Sequence, residues 1–237
     1  MTRPLLIDLF CCAGGASAGY VRAGSDVLGV DTKSHKSYPY PVLHADALSV
    51  LRMLLEGETL PFARWGNVVR RVSLSDITAF HASPPCQRYS GMSVCRPGLA
   101  DEYPDLIGPV RELLIQTGQP YVIENVMGAR DELRDPVTLC MDFFDIPDVS
   151  KDRLFETSFP LDVPEHGPHQ LPRLKAGRWE PGYALSPVGH FPQVSRVRDL
   201  LGVPWMTRDE IAESVPVVFT EFIGEQLLER VGYELAA

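Results

Sequence analysis

Cys86 stands behind two prolines and ahead of a polar run, in the stretch HASPPCQRYS at 81–90. Pro84 and Pro85 each hold φ near about −65° and donate no backbone hydrogen bond, so the stretch is a stiff turn. Such a turn at a strand's end keeps one thiol in one place. A thiolate is a strong nucleophile near neutral pH and can also leave again, which suits attack on an electron-poor ring carbon. Glu124, in YVIENV, closes another apolar run. A carboxylic acid there can protonate a ring nitrogen and make that ring a better electrophile. Each residue also has an ordinary reading when taken singly: a buried structural cysteine, and a surface carboxylate in a salt bridge.

A second group lies near the start of the chain. Gly14, Gly15 and Gly19, in CCAGGASAG, follow the apolar run PLLIDLF. They permit a tight turn and close backbone approach to a ligand, although they do not form a strict GxGxxG. Asp31 follows at the end of DVLGVD, where an acid can accept hydrogen bonds from ribose hydroxyls. The pair suggests a cofactor containing adenosine. The absence of a Walker lysine argues against nucleoside triphosphate hydrolysis.

These residues require elements to position them. Short apolar runs at 4–10, 26–31, 75–83 and 120–126 read as buried parallel strands. Helical spacing follows at about 17–23, 48–57 and 105–118. The alternation predicts an α/β fold, a doubly wound, mostly parallel Rossmann-like sheet with a small loop-rich insert. Asp8, Asp31, Cys86 and Glu124 then all fall at strand ends, where open α/β sheets bind ligands. Three segments are expected: a catalytic domain over 1–157, an insert rich in Pro, Gly, His and Arg with a short hairpin over 158–195, and a helical segment over 196–237 that completes the catalytic domain.

The formal net charge of −9 is awkward for a partner that is a polyanion. Local basic groups exist at Arg70–Arg71, Arg88 with Arg96, Arg173 with Lys175 and Arg178, and Arg196 with Arg198. The cysteines at 11, 12, 86, 95 and 140 show no CxxC pairing and no zinc-ligand spacing, so no metal is expected and a reducing compartment fits. No apolar run reaches the roughly 20 residues of a membrane span, and no basic-then-apolar leader opens the sequence. A cytoplasmic location is expected, in a bacterial or phage-infected cell.

The motifs resemble those of the C5-cytosine DNA methyltransferases that use S-adenosylmethionine. DLFCCAGGASAGY is similar to the family's first motif, SPPCQRYS to its catalytic PPCQ motif, and IENV to its ENV motif. SKDRLFE resembles the RxR segment with Lys151 in place of the first arginine, RVRDLLG the ninth motif, and ESVPVVFTEFIG the last. They occur in family order from residue 5 to about 224. The resemblance implies that Cys86 attacks C6 of a cytosine, Glu124 serves N3 and Arg153 holds the base near O2. It implies cofactor contacts from Phe10, Gly14, Gly15, Asp31, Asp46, Pro84, Ser214 and Val215. Pro85, Gln87, Ser90, Asn125 and Lys151 would meet the substrate, and a loop from Arg88 to Asp101 would close over it. A cytosine in duplex DNA would have to be flipped out.

The sequence departs from the family in three places. Cys12 stands where a glycine is usual, and Glu213–Ser214 where a glycine–asparagine pair is usual. The insert between Phe155 and Arg196 is far shorter than the family's recognition domain. Low or short sequence specificity, or recognition by a partner chain, is therefore expected. Other readings stand beside this one: the same chemistry on RNA or a free cytosine nucleotide, a catalytically silent DNA-binding homologue, or a metal-binding redox protein using Cys11, Cys12, His166 or His169.

Overall fold

The computed structural model describes residues 3–90, 99–165, 167–174 and 177–233. Cys95, His166, Lys175 and most of the expected closing loop lie outside the described residues. The apolar runs form strands β1 (Leu5–Leu9), β2 (Asp26–Asp31), β6 (Ala79–Ala82) and β7 (Tyr121–Asn125). With β3 (Val42–His44), β4 (Leu60–Arg64), β5 (Asn67–Val72), β8 (Val137–Leu139) and β9 (Arg153–Thr157) they make one sheet, ordered β5-β4-β3-β2-β1-β6-β7-β9-β8. The five central strands, β3-β2-β1-β6-β7, are parallel. Both ends of the sheet are antiparallel.

The helices are α1 (Gly15–Ala23), α2 (Ala47–Leu55), α3 (Ile107–Thr117), α4 (Val194–Leu201), α5 (Arg208–Glu213) and α6 (Val217–Arg230). Alternate residues of the central strands face opposite sides. Leu5, Ile7 and Leu9 join Val50, Leu51 and Leu54 of α2 and Val110 and Leu114 of α3 in one core. Leu6, Val27, Ala79 and Val122 join Tyr20 of α1 and Phe219, Ile223 and Leu227 of α6 in the other. The sheet is thus wound on both faces, as its unbroken apolar strands require. Chain order reverses between β1 and β6, the switch point where a crevice opens outside the strand ends.

Helices α1 and α6 cross closely because Gly19 has no side chain. A Cβ there would collide with the Thr220 hydroxyl and the Val217 carbonyl. The long return from β9 to α4 adds no regular strand among its described residues. It carries the isolated parallel bridges Val149–Leu185 and Arg173–Ala184, so the expected hairpin, which needs antiparallel neighbours, is not seen among the described residues. Its Leu185 and Phe191 belong to the same core as α6, with Phe159, Leu161 and Trp179 packed against it. The insert is therefore anchored by burial.

Candidate active site

The turn after β1 is built from unusual backbone. Phe10 (φ 61°), Cys12 (φ 45°) and Gly14 (φ 87°) all adopt left-handed conformations. Asp31 at the end of β2 holds this turn in place. Its Oδ2 accepts from the Cys12 amide at 2.9 Å and its Oδ1 from the Lys33 amide at 2.8 Å. A Cβ on Gly15 would lie 2.5 Å from the Val215 carbonyl. The missing side chain lets the segment after α5 close against the turn.

Next to it, at the end of β6, runs the proline turn. Asn125 Nδ2 donates to the Pro84 carbonyl at 3.0 Å, and Asn125 Oδ1 accepts from the Val126 amide at 2.9 Å. The buried Asn125 therefore binds the β6 turn to the β7 turn and fixes the approach to Cys86. Cys86, Glu124 and Arg153 line one cavity of about 660 Å³ together with Phe10, Gly15, Pro84, Pro85, Gln87, Ser90, Ser214 and Val215. That size falls within the about 300–1,000 Å³ of small-molecule sites.

The antiparallel register Glu124–Phe155 and Asn125–Leu154 brings the start of β9 to the end of β7. Arg153 Nε lies 2.9 Å from Glu124 Oε1. Farther along β9, the buried Glu156 accepts two 2.7 Å hydrogen bonds from Arg111 of α3, which secures the strand. Burial raises the Glu124 carboxyl above its ordinary range, while Arg153 and a hydrogen bond from Ser83 pull it down. Burial also raises the Cys86 thiol; Glu124 raises it further and Arg153 opposes. Arg153 is thus placed to stabilise either group as an anion.

A buried polar chain supports Glu124 from behind. Tyr20 Oη meets His81 Nδ1 at 3.0 Å, and His81 Nε2 meets Ser83 Oγ at 2.9 Å. Burial holds His81 neutral, with its pKa down to about 3. On the same face of the sheet, burial lifts Asp8 to about 7 despite a hydrogen bond from Ser17.

Several expected residues sit elsewhere. Lys151 does not line the cavity. It is buried, which pushes its pKa well below the ordinary lysine value, and its Nζ donates to the Ile211 and Ala212 carbonyls at 2.5 and 3.2 Å. A donor at the end of a helix satisfies carbonyls that lack partners, so Lys151 braces α5. Asn125 likewise braces turns. Asp46 is the N-cap of α2, accepting from the Ser49 amide at 2.9 Å, and does not line the cavity. Gly14 and Asp31 shape the turn from outside the lining. Residues not singled out for the site include His81 and Ser83 behind Glu124, and Asp8, Asp152, Asp209 and Glu213 in the lining. The strand position of Asp8 was the one available signal.

The cavity gathers a thiol, a carboxyl and a guanidinium in one space that also reaches the turn after β1. No helix among the described residues is long and apolar enough to cross a membrane. No family model matches the chain, and no curated protein does either. Solved structures with a similar fold do exist. A structure described as a DNA modification methyltransferase encoded within an E. coli prophage superposes with a TM-score of 0.61 at 15% identity, over 97% of this chain and 99% of that one. The S. pombe Dnmt2 methyltransferase gives 0.56 at 12% identity, over 98% and 100%. A mutant of Spodoptera frugiperda DNMT2 gives 0.54 at 13% identity, over 95% and 99%. The shared feature is the α/β fold with its mostly parallel central sheet.

Proposed function

We propose that the chain transfers a methyl group from S-adenosylmethionine to C5 of cytosine in DNA, through a covalent bond between Cys86 and C6. The observation that carries this reading is that Cys86, Glu124 and Arg153 face one cavity which also reaches the Phe10–Gly15 turn and Ser214–Val215. The lining suits the cofactor. Asp152, Asp209 and Glu213 add acidic groups to it, which favours a cationic sulfonium, and the absent Cβ at Gly15 lets Val215 close beside the turn. Phe10, Gly15, Pro84, Ser214 and Val215 would hold the cofactor, with Gly14 and Asp31 shaping its turn. Bound there, it would supply an electrophilic methyl group.

The chain's own groups do the rest. Cys86 sulfur, as thiolate, forms a bond to C6. Glu124, whose carboxyl burial raises, donates toward N3, and Arg153 takes up charge at O2. Electron density moves to C5, which becomes the nucleophile for the methyl group. Loss of the C5 proton then lets the carbon–sulfur bond break and restores the ring. Pro85, Gln87 and Ser90 would flank the base.

The test is tritium transfer from labelled S-adenosylmethionine to duplex DNA, tRNA and dCMP. Duplex DNA should be labelled, and Cys86→Ala should abolish labelling while cofactor affinity stays within about threefold, since the thiol acts on the base. DNA containing 5-fluorocytosine should form an adduct at Cys86. Labelling of tRNA or dCMP alone would move the substrate assignment, and an adduct at another cysteine would overturn the mechanism.

A further inference from the structure

A second cluster lies where the insert meets the sheet. Cys140 follows β8 and caps the short turn Met141–Phe144, which carries Asp142. His169 comes from the insert. Cys140 Sγ is 3.5 Å from His169 Nδ1 and 3.6 Å from Asp142 Oδ2, and Nδ1 is 2.6 Å from Oδ2. We propose that Cys140, Asp142 and His169 bind a divalent transition-metal ion of the zinc type, with a solvent oxygen as the fourth donor, and that the ion fastens the insert to the central sheet. This holds independently of the methyl-transfer reading.

The geometry separates such a site from a nucleophilic triad. In a triad the thiol and the carboxylate engage opposite nitrogens of the ring. Here both converge on Nδ1, which marks a single point between three donor atoms. Bonds of about 2.3 Å to sulfur and 2.0–2.1 Å to nitrogen in a tetrahedron leave those two atoms about 3.5 Å apart. The sulfur–nitrogen and sulfur–oxygen distances already match, and only the Nδ1–Oδ2 pair has to open.

The carboxylates supply the second observation. Asp142 Oδ1 and Asp152 Oδ1 are buried and lack a hydrogen-bond partner. An orphaned carboxylate oxygen is unfavourable in the interior, and a cation held by Asp142 offsets that cost at this cluster. Asp152 reaches the Cys140 thiol and also lines the catalytic cavity. Binding releases the thiol proton to solvent and moves the ring proton from Nδ1 to Nε2. Arg173 Nη2 donates to Nε2 at 2.6 Å and to Asp152 Oδ2 at 2.9 Å, so it must leave Nε2 as the ion enters. The other group of suitable donors, Cys12, Asp31 and His35, is committed to the cofactor turn through Asp31 and serves as the control.

The test is titration of the chelator-stripped full chain with Co(II), followed by displacement with Zn(II). One Co(II) per chain should give tetrahedral ligand-field bands and a thiolate charge-transfer band. Cys140→Ser should remove the charge-transfer band, and Cys12→Ser should keep it. His169→Ala should weaken binding about 10–100-fold or more while the metal-free melting curve stays unchanged, because His169 is partly exposed on the insert. Arg173→Gln should tighten binding. Zn(II) should slow proteolysis within residues 158–193. Absence of the charge-transfer band, its survival in Cys140→Ser, or unchanged affinity in His169→Ala would overturn the proposal; if Cys140→Ser fails to fold, the His169 variant decides.

Discussion

His81 and Asp8 are paired across β1 and β6, and their titrations pull stability in opposite directions. The His81 pKa is about 3 in the fold against an unfolded value of about 6.5. Between those values the unfolded chain binds the extra proton, so stability is lost as pH falls below about 6.5, at up to about 1.4 kcal/mol per pH unit. Asp8 is raised to about 7, so the folded chain keeps the proton. Its contribution is complete below about 4 and disappears as pH rises through 7. His81→Gln should therefore lose less stability than the parent between pH 7 and pH 5, by about 1–2 kcal/mol. Urea unfolding at both pH values reads this, and an equal loss in both proteins would count against a buried neutral imidazole. The nearness of Cys86 and Glu124 to one end of the sheet was legible because each closes or follows an apolar run that reads as a strand. The inward pull of His81 was not, since a lone histidine on a short strand looks the same whether buried or exposed. Lys151 misled for a related reason: the motif fixes its position in the chain but not the direction of a long side chain, and the carbonyls it satisfies belong to a helix about 60 residues away.

At the scale of elements, the segment after α5 connects bracing to binding. Lys151 holds the last carbonyls of α5, and the residues that follow immediately, Glu213 to Val215, line the cavity. A buried acceptor left without its hydrogen bond costs about 1–3 kcal/mol. Lys151→Met should therefore weaken cofactor binding about tenfold and leave kcat within about threefold, since no reacting group moves. Calorimetry together with the KM-against-kcat split tests this; a collapse of kcat at unchanged KM would return Lys151 to the substrate side. Strands β1, β2, β6 and β7 and helices α1 to α3 could be read from apolar runs and helical spacing, whereas the three-residue β3 could not. The antiparallel edges could not. NVVRRV in β5 carries exposed valines, and β8 and β9 are short strands set among polar residues, so neither shows the expected periodicity. The approach of Cys140 to His169 was hidden as well, because it depends on the path of an insert with little regular structure.

For the whole molecule, if DNA is the substrate, the small insert limits what can be read from it. Each good bidentate base contact supplies about 1–3 kcal/mol of discrimination, and a short insert offers few. If the chain methylates DNA, methylation of random-sequence duplexes should show a preference of only a few base pairs, and a unique site of six or more would require another reader. The formal charge of −9 points the same way, toward local contacts in place of a broad electrostatic hold, and a shallow dependence of binding on salt would agree with it.

The contact between α1 and α6 joins segments about 200 positions apart. A folding chain can pair β1 with β2 early, but the face of the sheet that carries Tyr20 stays bare until α6 arrives. Folding therefore depends on an obligatory long-range closure, a slow kind of step, and until then that apolar face is open to water.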